Sequence, residues 1–156
     1  MTHERQLIRR IRFATGVFIG GLVASGLTAI PLETELALLD RWIGGESGWV
    51  HRVATALHET NTKHPFLAYG TDWLAFGHMI IALAFVWAWR DPVRNRWMFD
   101  FGLLACALVV PWALVSGEVR GIPMGWRLID CGFGLLGAVP MGLCRKWAAI
   151  AVARAA

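Results

Sequence analysis

Long apolar stretches separated by short polar ones dominate the pattern of this chain. The predominantly apolar stretches are residues 13–32, 70–89, 97–117 and 126–144. Each is long enough to cross the ~30 Å hydrocarbon core of a bilayer as an α-helix rising ~1.5 Å per residue. The pattern therefore predicts an all-α fold, an integral membrane four-helix bundle forming a single membrane domain over residues 1–156.

The segment 33–64, between the first two apolar stretches, has a different pattern. Five acidic and three basic residues are interleaved with leucine, valine and tryptophan. This predicts one or two short amphipathic helices that lie on the membrane surface or cap the bundle, with a break near residues 44–47. Whether the segment is a fixed cap or a mobile lid is left open by the pattern.

The composition supports a membrane protein rather than a soluble domain. The 156 residues are 56% hydrophobic and 17% charged and include nine tryptophans, a residue that favours the membrane–water interface. The net charge of +4 comes from basic residues near predicted helix ends. This distribution indicates topology and contact with anionic membrane lipid, and we expect no nucleic-acid partner.

Basic residues also predict the orientation of the chain. Ten fall on one side of the predicted membrane: Arg5, Arg9, Arg10, Arg12, Arg90, Arg94, Arg96, Arg145, Lys146 and Arg154. Five fall on the other side: Arg41, Arg52, Lys63, Arg120 and Arg127. The side richer in basic residues is normally cytoplasmic, so the multi-pass chain is predicted to have both termini in the cytoplasm and segment 33–64 outside it.

Small residues recur every four positions in the first stretch, at Gly16, Gly20 and Ala24. Such a stripe lets a second helix approach closely. It fits internal packing or a homo-oligomer equally well.

Ionisable residues gather at the predicted outer end of the bundle. They are Glu59, Asp72, His78, Glu118, Arg120, Arg127 and Asp130. A charge in hydrocarbon costs several kcal/mol unless it is paired or hydrated, so these residues predict an extracytoplasmic polar pocket. Asp130 shares a helix face with small residues and is expected to face the bundle interior.

Roles can be assigned to this cluster in two ways. In the functional interpretation, Arg120, Arg127, Asp130, Glu118 and Glu59 bind a ligand, and Asp72 and His78 are catalytic candidates for proton transfer. In the structural interpretation, Asp72 only caps its helix, and Arg127 and Asp130 form an ion pair.

No metal or cofactor is predicted. His78 has no histidine partner in another crossing, as bis-histidine haem ligation would need. The spacing of His58, Glu59 and His64 matches no standard metal motif, and these side chains are expected to be solvated. The three cysteines lack C-x-x-C spacing and are expected to behave as small apolar residues.

Three segments, 65–78, 90–95 and 126–131, together resemble a group of small bacterial four-crossing membrane proteins with no assigned function. The resemblance implies a location in the bacterial inner membrane and supplies no activity, cofactor or catalytic residue. The porphyrin-binding tryptophan-rich sensory proteins are a poorer match, because they have five crossings and a different Pro/Trp pattern.

The leading functional hypothesis from the sequence is a membrane protein whose outer polar pocket binds a small ligand or lipid headgroup, or an accessory subunit. The alternative is a membrane-embedded enzyme acting on a lipid or quinone-like substrate. A proton-coupled transporter is a third option, and it would require dimerisation because four helices rarely enclose a full path.

Overall fold

The computed structural model describes residues 3–45 and 47–155, with side chains described for 4–45 and 47–153. Glu46, which belongs to the predicted break in segment 33–64, lies outside the described residues. The described chain consists of helices and connecting turns and contains no strand. The α-helices are α1 (His3–Thr28), α2 (Leu32–Ile43), α3 (Trp49–Lys63), α4 (Tyr69–Arg90), α5 (Trp97–Val119) and α6 (Met124–Ala155).

Four helical segments are long and apolar enough to cross a membrane: Glu4–Thr28, Pro65–Arg90, Trp97–Val119 and Met124–Ala153. Only 22 to 28% of the residues in their most apolar windows are buried within the protein. Most of their apolar surface therefore needs lipid to cover it, and the prediction of a protein with transmembrane helices is confirmed. The amphipathic segment forms α2 and α3.

Prolines and turn hydrogen bonds set the helix ends. α1 ends at Thr28, earlier than the predicted end of the first crossing, because Pro31 follows and the Ala29 N–H turns back to the Gly26 carbonyl at 3.2 Å. α4 ends at Arg90, just before Pro92. There the Asn95 side-chain amide donates to the carbonyls of Trp87 (3.2 Å) and Asp91 (3.0 Å).

The chain divides into two compact units. The helix-pair unit contains the described residues up to Gly20 and those from Ala82 onward. The hairpin unit contains residues 21–81. α1 and α4 each contribute residues to both units.

In the helix-pair unit, α5 packs closely against α6 through glycines. A Cβ on Gly134 would lie 2.6 Å from the Cys106 carbonyl oxygen, and one on Gly102 would lie 2.9 Å from Met141 Sδ. These distances leave no room for a larger residue, so the glycines allow the two backbones to approach. The largest fully buried side chains of the unit are Phe85, Phe99, Ile11, Met141, Thr15 and Cys144.

Arg12 joins α1 to the end of α4 in the same unit. Its guanidinium donates to the carbonyls of Trp89 (3.2 Å) and Arg90 (2.9 Å). The last carbonyls of a helix lack intrahelical partners and carry partial negative charge, so an arginine is well suited to bind them.

In the hairpin unit, α1 approaches α4 most closely at Gly26. A Cβ there would lie 2.9 Å from Met79 Cε and 3.0 Å from His78 Cβ. By contrast, no atom lies within 4 Å of a Cβ built on Gly20, and the nearest to one on Gly16 is 3.9 Å away. Among the glycines of α1, Gly26 has the tightest contacts, whereas Gly16 and Gly20 of the predicted stripe have space beside them.

Candidate functional site

Arg127 lies near the start of α6, beside the turn that joins α5 to α6. It is buried although it is charged. Its Nη1 donates to the Glu118 carboxylate, and its Nε donates to the Ile122 carbonyl at 2.6 Å. Its aliphatic stem packs on Gly117, where a Cβ would lie 2.7 Å from Arg127 Cγ. The guanidinium is thus engaged by the protein itself, and it closes the turn.

Arg120 and Asp130 lie near this pair but do not join it. Both are exposed, and in the described part of the chain neither side chain forms a hydrogen bond or ion pair. Asp130 does not face the interior as expected, because the helix places its neighbour Cys131 on the buried face instead. Arg127 pairs with Glu118 across the turn and not with Asp130 on its own helix.

The other predicted site residues belong to the hairpin unit. Asp72 is exposed in the first turn of α4, and Glu59 is exposed on α3. His78 is half-buried, and its Nδ1 lies 2.8 Å from the Leu74 carbonyl oxygen one turn earlier in α4. A carbonyl only accepts, so this contact places the proton on Nδ1 and leaves Nε2 as an acceptor.

The sequence prediction joined these residues to those of the α5–α6 turn in one pocket. Glu118, Arg120, Arg127 and Asp130 belong to the helix-pair unit, whereas Glu59, Asp72 and His78 belong to the hairpin unit. Convergence of the two sets stays a prediction.

A cavity of about 320 Å³ opens in the hairpin unit, where the end of α1, the α2–α3 pair and the start of α4 meet. Its lining is largely aliphatic, with threonine hydroxyls, one amide and one carboxylate. The lining residues are Ile30, Pro31, Leu32, Glu33, Thr34, Leu57, Thr60, Asn61, Leu67, Ala68 and Thr71. Such a surface suits an amphipathic small molecule better than a fully charged one.

Glu33 is the ionisable residue of this lining, and both of its oxygens are engaged. Oε1 lies 2.7 Å from His58 Nδ1, and Oε2 accepts from the Asn61 amide at 2.6 Å. The hydrogen bonds from Asn61 and from His58 lower the pKa of the Glu33 carboxyl below its ordinary value of 4.5. Glu33 is therefore held as a carboxylate beside the cavity.

The Glu33–His58 contact fixes the tautomer of the histidine. A carboxylate accepts, so Nδ1 carries a proton, and in the neutral ring Nε2 presents a lone pair. The ring is mostly exposed, and within the described residues it makes no other hydrogen bond. A histidine oriented by a carboxylate in this way can take a proton from water or return one.

The sequence interpretation had assigned His58 to the solvated surface and had not predicted its contact with Glu33. A detectable pattern was present, because Asp40 and His51 form a second carboxylate–histidine contact at 2.9 Å. Glu33 precedes Asp40 by seven residues and His58 follows His51 by seven. Seven residues are about two helical turns, so both pairs match one antiparallel register of α2 and α3.

Metal ligation has no support in the described residues, where no three His, Cys, Asp or Glu side chains are placed to hold an ion. Cys106, Cys131 and Cys144 are free and buried. Thr15 Oγ1 lies 3.5 Å from Cys144 Sγ, so this thiol takes part in the core of the helix-pair unit.

Comparisons with known proteins give one informative match. Over 112 residues the chain is 27% identical to the 2-vinyl bacteriochlorophyllide hydratase of Cereibacter sphaeroides. The match covers 70% of this chain and 64% of the hydratase, so the chain spans less than two thirds of that protein. No protein-family model and no solved structure matches the chain. At this level of identity the comparison shows that the chain is similar to a hydratase.

Proposed function

We propose that this chain is a membrane-embedded enzyme of the hydratase type, acting on a lipid-soluble unsaturated ring compound at the cavity of the hairpin unit. The observation that carries the proposal is the similarity to 2-vinyl bacteriochlorophyllide hydratase over 112 residues. It favours the enzymatic alternative over the leading hypothesis from the sequence, and it replaces a quinone-like substrate with a tetrapyrrole-like one.

We assign the chemistry of hydration to Glu33, which lines the cavity, and to His58, which contacts Glu33. Adding water to a carbon–carbon double bond breaks one O–H bond and the π bond, and forms one C–O and one C–H bond. A single group that accepts the water proton and returns a proton to the other carbon balances the reaction. We assign this group to His58, whose Nε2 is available, and we assign the orientation of its ring to Glu33.

The aliphatic wall offers an apolar surface to one edge of such a substrate. Ile30, Leu57 and Leu67 line the cavity together with Thr60 and Thr71. Apolar walls exclude bulk water from a flat ring, while a few hydroxyls orient its polar edge. His78 is a second candidate for proton transfer, although a neutral carbonyl rather than a carboxylate orients its ring.

The experiment is a turnover assay. Membranes or purified protein are incubated with 2-vinyl bacteriochlorophyllide, and the product is detected by mass spectrometry as the gain of one water molecule. Protein-free membranes and heat-denatured protein are the controls. We expect a water adduct with the native protein only, and the absence of a water adduct overturns the proposed enzymatic function.

Ligand binding without chemistry is the second candidate function. It is favoured by Glu33, the ionisable side chain of the cavity lining, because both of its oxygens are already hydrogen-bonded. The same assay separates the two functions: a binder retains the pigment through purification, shifts its absorption band and forms no water adduct.

A further inference from the structure

A second cavity, of about 480 Å³, lies in the helix-pair unit between the start of α5 and the later part of α6. It is lined by Arg96, Asp100, Leu103, Gly142, Arg145, Lys146 and Ala149. We call it the basic groove. It is distinct from the cavity of the proposed function, and it does not depend on that function.

The charges of the basic groove do not cancel. Arg145 Nε lies 2.5 Å from Asp100 Oδ1, so one of the three cationic side chains is paired with the acid. In the described part of the chain, neither Arg96 nor Lys146 forms an ion pair. The groove therefore keeps two positive charges beside the apolar surface of Leu103, Gly142 and Ala149.

Tryptophans indicate the depth of the groove in a bilayer. Trp97 follows Arg96 directly and is largely exposed, and Trp147 follows Lys146. Indole rings concentrate at the level of the lipid headgroups, so the groove lies where the hydrocarbon meets the aqueous phase. A helix of 32 residues such as α6 also exceeds the hydrocarbon thickness, which leaves its later turns at headgroup level.

From this combination we infer that the basic groove binds the headgroup of an anionic phospholipid. The phosphate would lie between Arg96 and Lys146, with the Arg145–Asp100 pair fixing the geometry and the first acyl carbons against Leu103. Basic pockets between transmembrane helices are a recurrent solution for anionic headgroups, and the free cations attract a phosphate that a zwitterionic lipid shields with its own amine.

The test is lipid competition measured by native mass spectrometry. The protein is released from nanodiscs of equal parts phosphatidylglycerol and phosphatidylcholine, and the ratio of the two bound lipids is measured. The test variant is Arg96→Gln with Lys146→Gln. The matched control is Arg9→Gln with Arg94→Gln, which removes the same charge from exposed sites outside the groove.

We expect the wild type and the control to retain phosphatidylglycerol, and the test variant to lose about ten- to thirty-fold of that preference, at about 1 kcal/mol per basic residue. Equal loss in test and control, or no loss in the test variant, overturns the proposal. If the test variant does not fold, the exchange Arg96→Lys with Lys146→Arg preserves the charge and must preserve the preference.

A second experiment tests whether the basic groove binds a free anion instead of a lipid headgroup. Inorganic phosphate is added to the wild type in detergent, and its melting temperature is compared with that in phosphatidylglycerol and in phosphatidylcholine nanodiscs. A lipid site gives stabilisation by phosphatidylglycerol alone. Stabilisation by phosphate to the same extent, or displacement of the bound lipid by phosphate, would show a site for a soluble anion and overturn the assignment.

Discussion

Glu118, at the end of α5, pairs with the buried guanidinium of Arg127, in the first turns of α6. The side chain of Arg127 is 10% exposed and that of Glu118 is 75% exposed, so the pair joins a buried cation to an exposed carboxylate. The Ile122 carbonyl and the Gly117 backbone complete the surroundings of the arginine. Because all these groups belong to one connection, the pair orders the turn that joins the two most closely packed helices.

Removal of the carboxylate at this turn should destabilise the protein. We expect Glu118→Gln to lower the free energy of unfolding by about 1–2 kcal/mol, because the buried guanidinium loses the negative charge of its partner while the Ile122 carbonyl still accepts from it. The matched control is Asp130→Asn, which should change stability by less than about 0.5 kcal/mol since Asp130 is exposed. Unfolding in mixed detergent measures both. Equal losses in the two variants would contradict the assignment of the pair.

A second prediction concerns the contact between α5 and α6. We expect Gly134→Ala to destabilise the protein by about 1–3 kcal/mol, because the new Cβ meets the Cys106 carbonyl, which is backbone and cannot move alone. Gly132→Ala is the control on the same helix, with no atom within 4 Å of the added Cβ. It should be neutral or stabilising by up to about 1 kcal/mol from helix propensity. A destabilised Gly132→Ala would show that glycine is needed there for another reason.

The Glu33 carboxylate should make stability depend on pH. Its pKa is lowered in the folded state, so above the unfolded value of 4.5 it stabilises the fold fully. That contribution is lost as the pH falls through the lowered folded pKa, since the unfolded chain binds the proton first. We expect wild type to melt at a higher temperature than Glu33→Gln at about pH 5. Below the unfolded value of 4.5 this difference in melting temperature should shrink.

The control for this pH series is Glu59→Gln. Glu59 is exposed and makes no side-chain hydrogen bond in the described part of the chain. Its replacement should leave the melting temperature close to that of the wild type throughout. A difference in melting temperature between wild type and Glu33→Gln that grew as the pH fell below 4.5 would have the opposite sign and would contradict the prediction.

Some features of this fold follow directly from the sequence, and others depend on tertiary packing. The transmembrane helices follow from apolar length, and the end of α4 follows from Pro92. Glu118 and Arg127 were placed in one cluster, but the predicted ion-pair partner of Arg127 was Asp130 and not Glu118. The exposure of Asp130 was missed, since a face one residue away satisfies the same small-residue pattern. The close contact of Gly134 with α5 determines which face of α6 is buried, and this contact cannot be seen in the sequence.

The cavity at Glu33 was the larger omission. Glu33 and Asn61 are 28 positions apart and meet only because α2 and α3 pair as a hairpin. From the sequence alone, polar residues of an amphipathic helix are expected to face solvent. Glu33 and Asn61 meet because of the register between α2 and α3. The close approach at Gly26 was missed for the same reason, because a regular stripe is visible in the sequence whereas a single tertiary contact is not.

The orientation of the chain is a further prediction. If all four candidate spans cross the membrane, both termini lie on the same side of it. The basic residues predict that this side is the cytoplasm. A C-terminal green fluorescent protein fusion should fluoresce and an alkaline phosphatase fusion should be inactive. The variant Ser47→Cys, with its new thiol between α2 and α3, should react with a membrane-impermeant maleimide added outside intact cells. The reverse pattern would show the opposite orientation.

The last prediction distinguishes His58 from His78, the two candidates for proton transfer in the hairpin unit. If His58 transfers the proton, His58→Gln should lower hydratase turnover by about 10²–10⁴-fold, the usual contribution of a general acid or base. Glu33→Gln should lower turnover by a smaller factor and alter its pH profile, because the ring keeps its proton acceptor but loses its charged orienting partner.

His78→Gln is the comparison, because His78 hydrogen-bonds only within its own helix among the described residues. It should retain most of the turnover if the assignment to His58 is correct. Pigment binding, measured by absorption, should persist in all three variants, so that a loss of turnover can be separated from a loss of substrate. A loss confined to His78→Gln would transfer the proton-transfer role to α4 and leave the Glu33–His58 pair with a structural role in the hairpin.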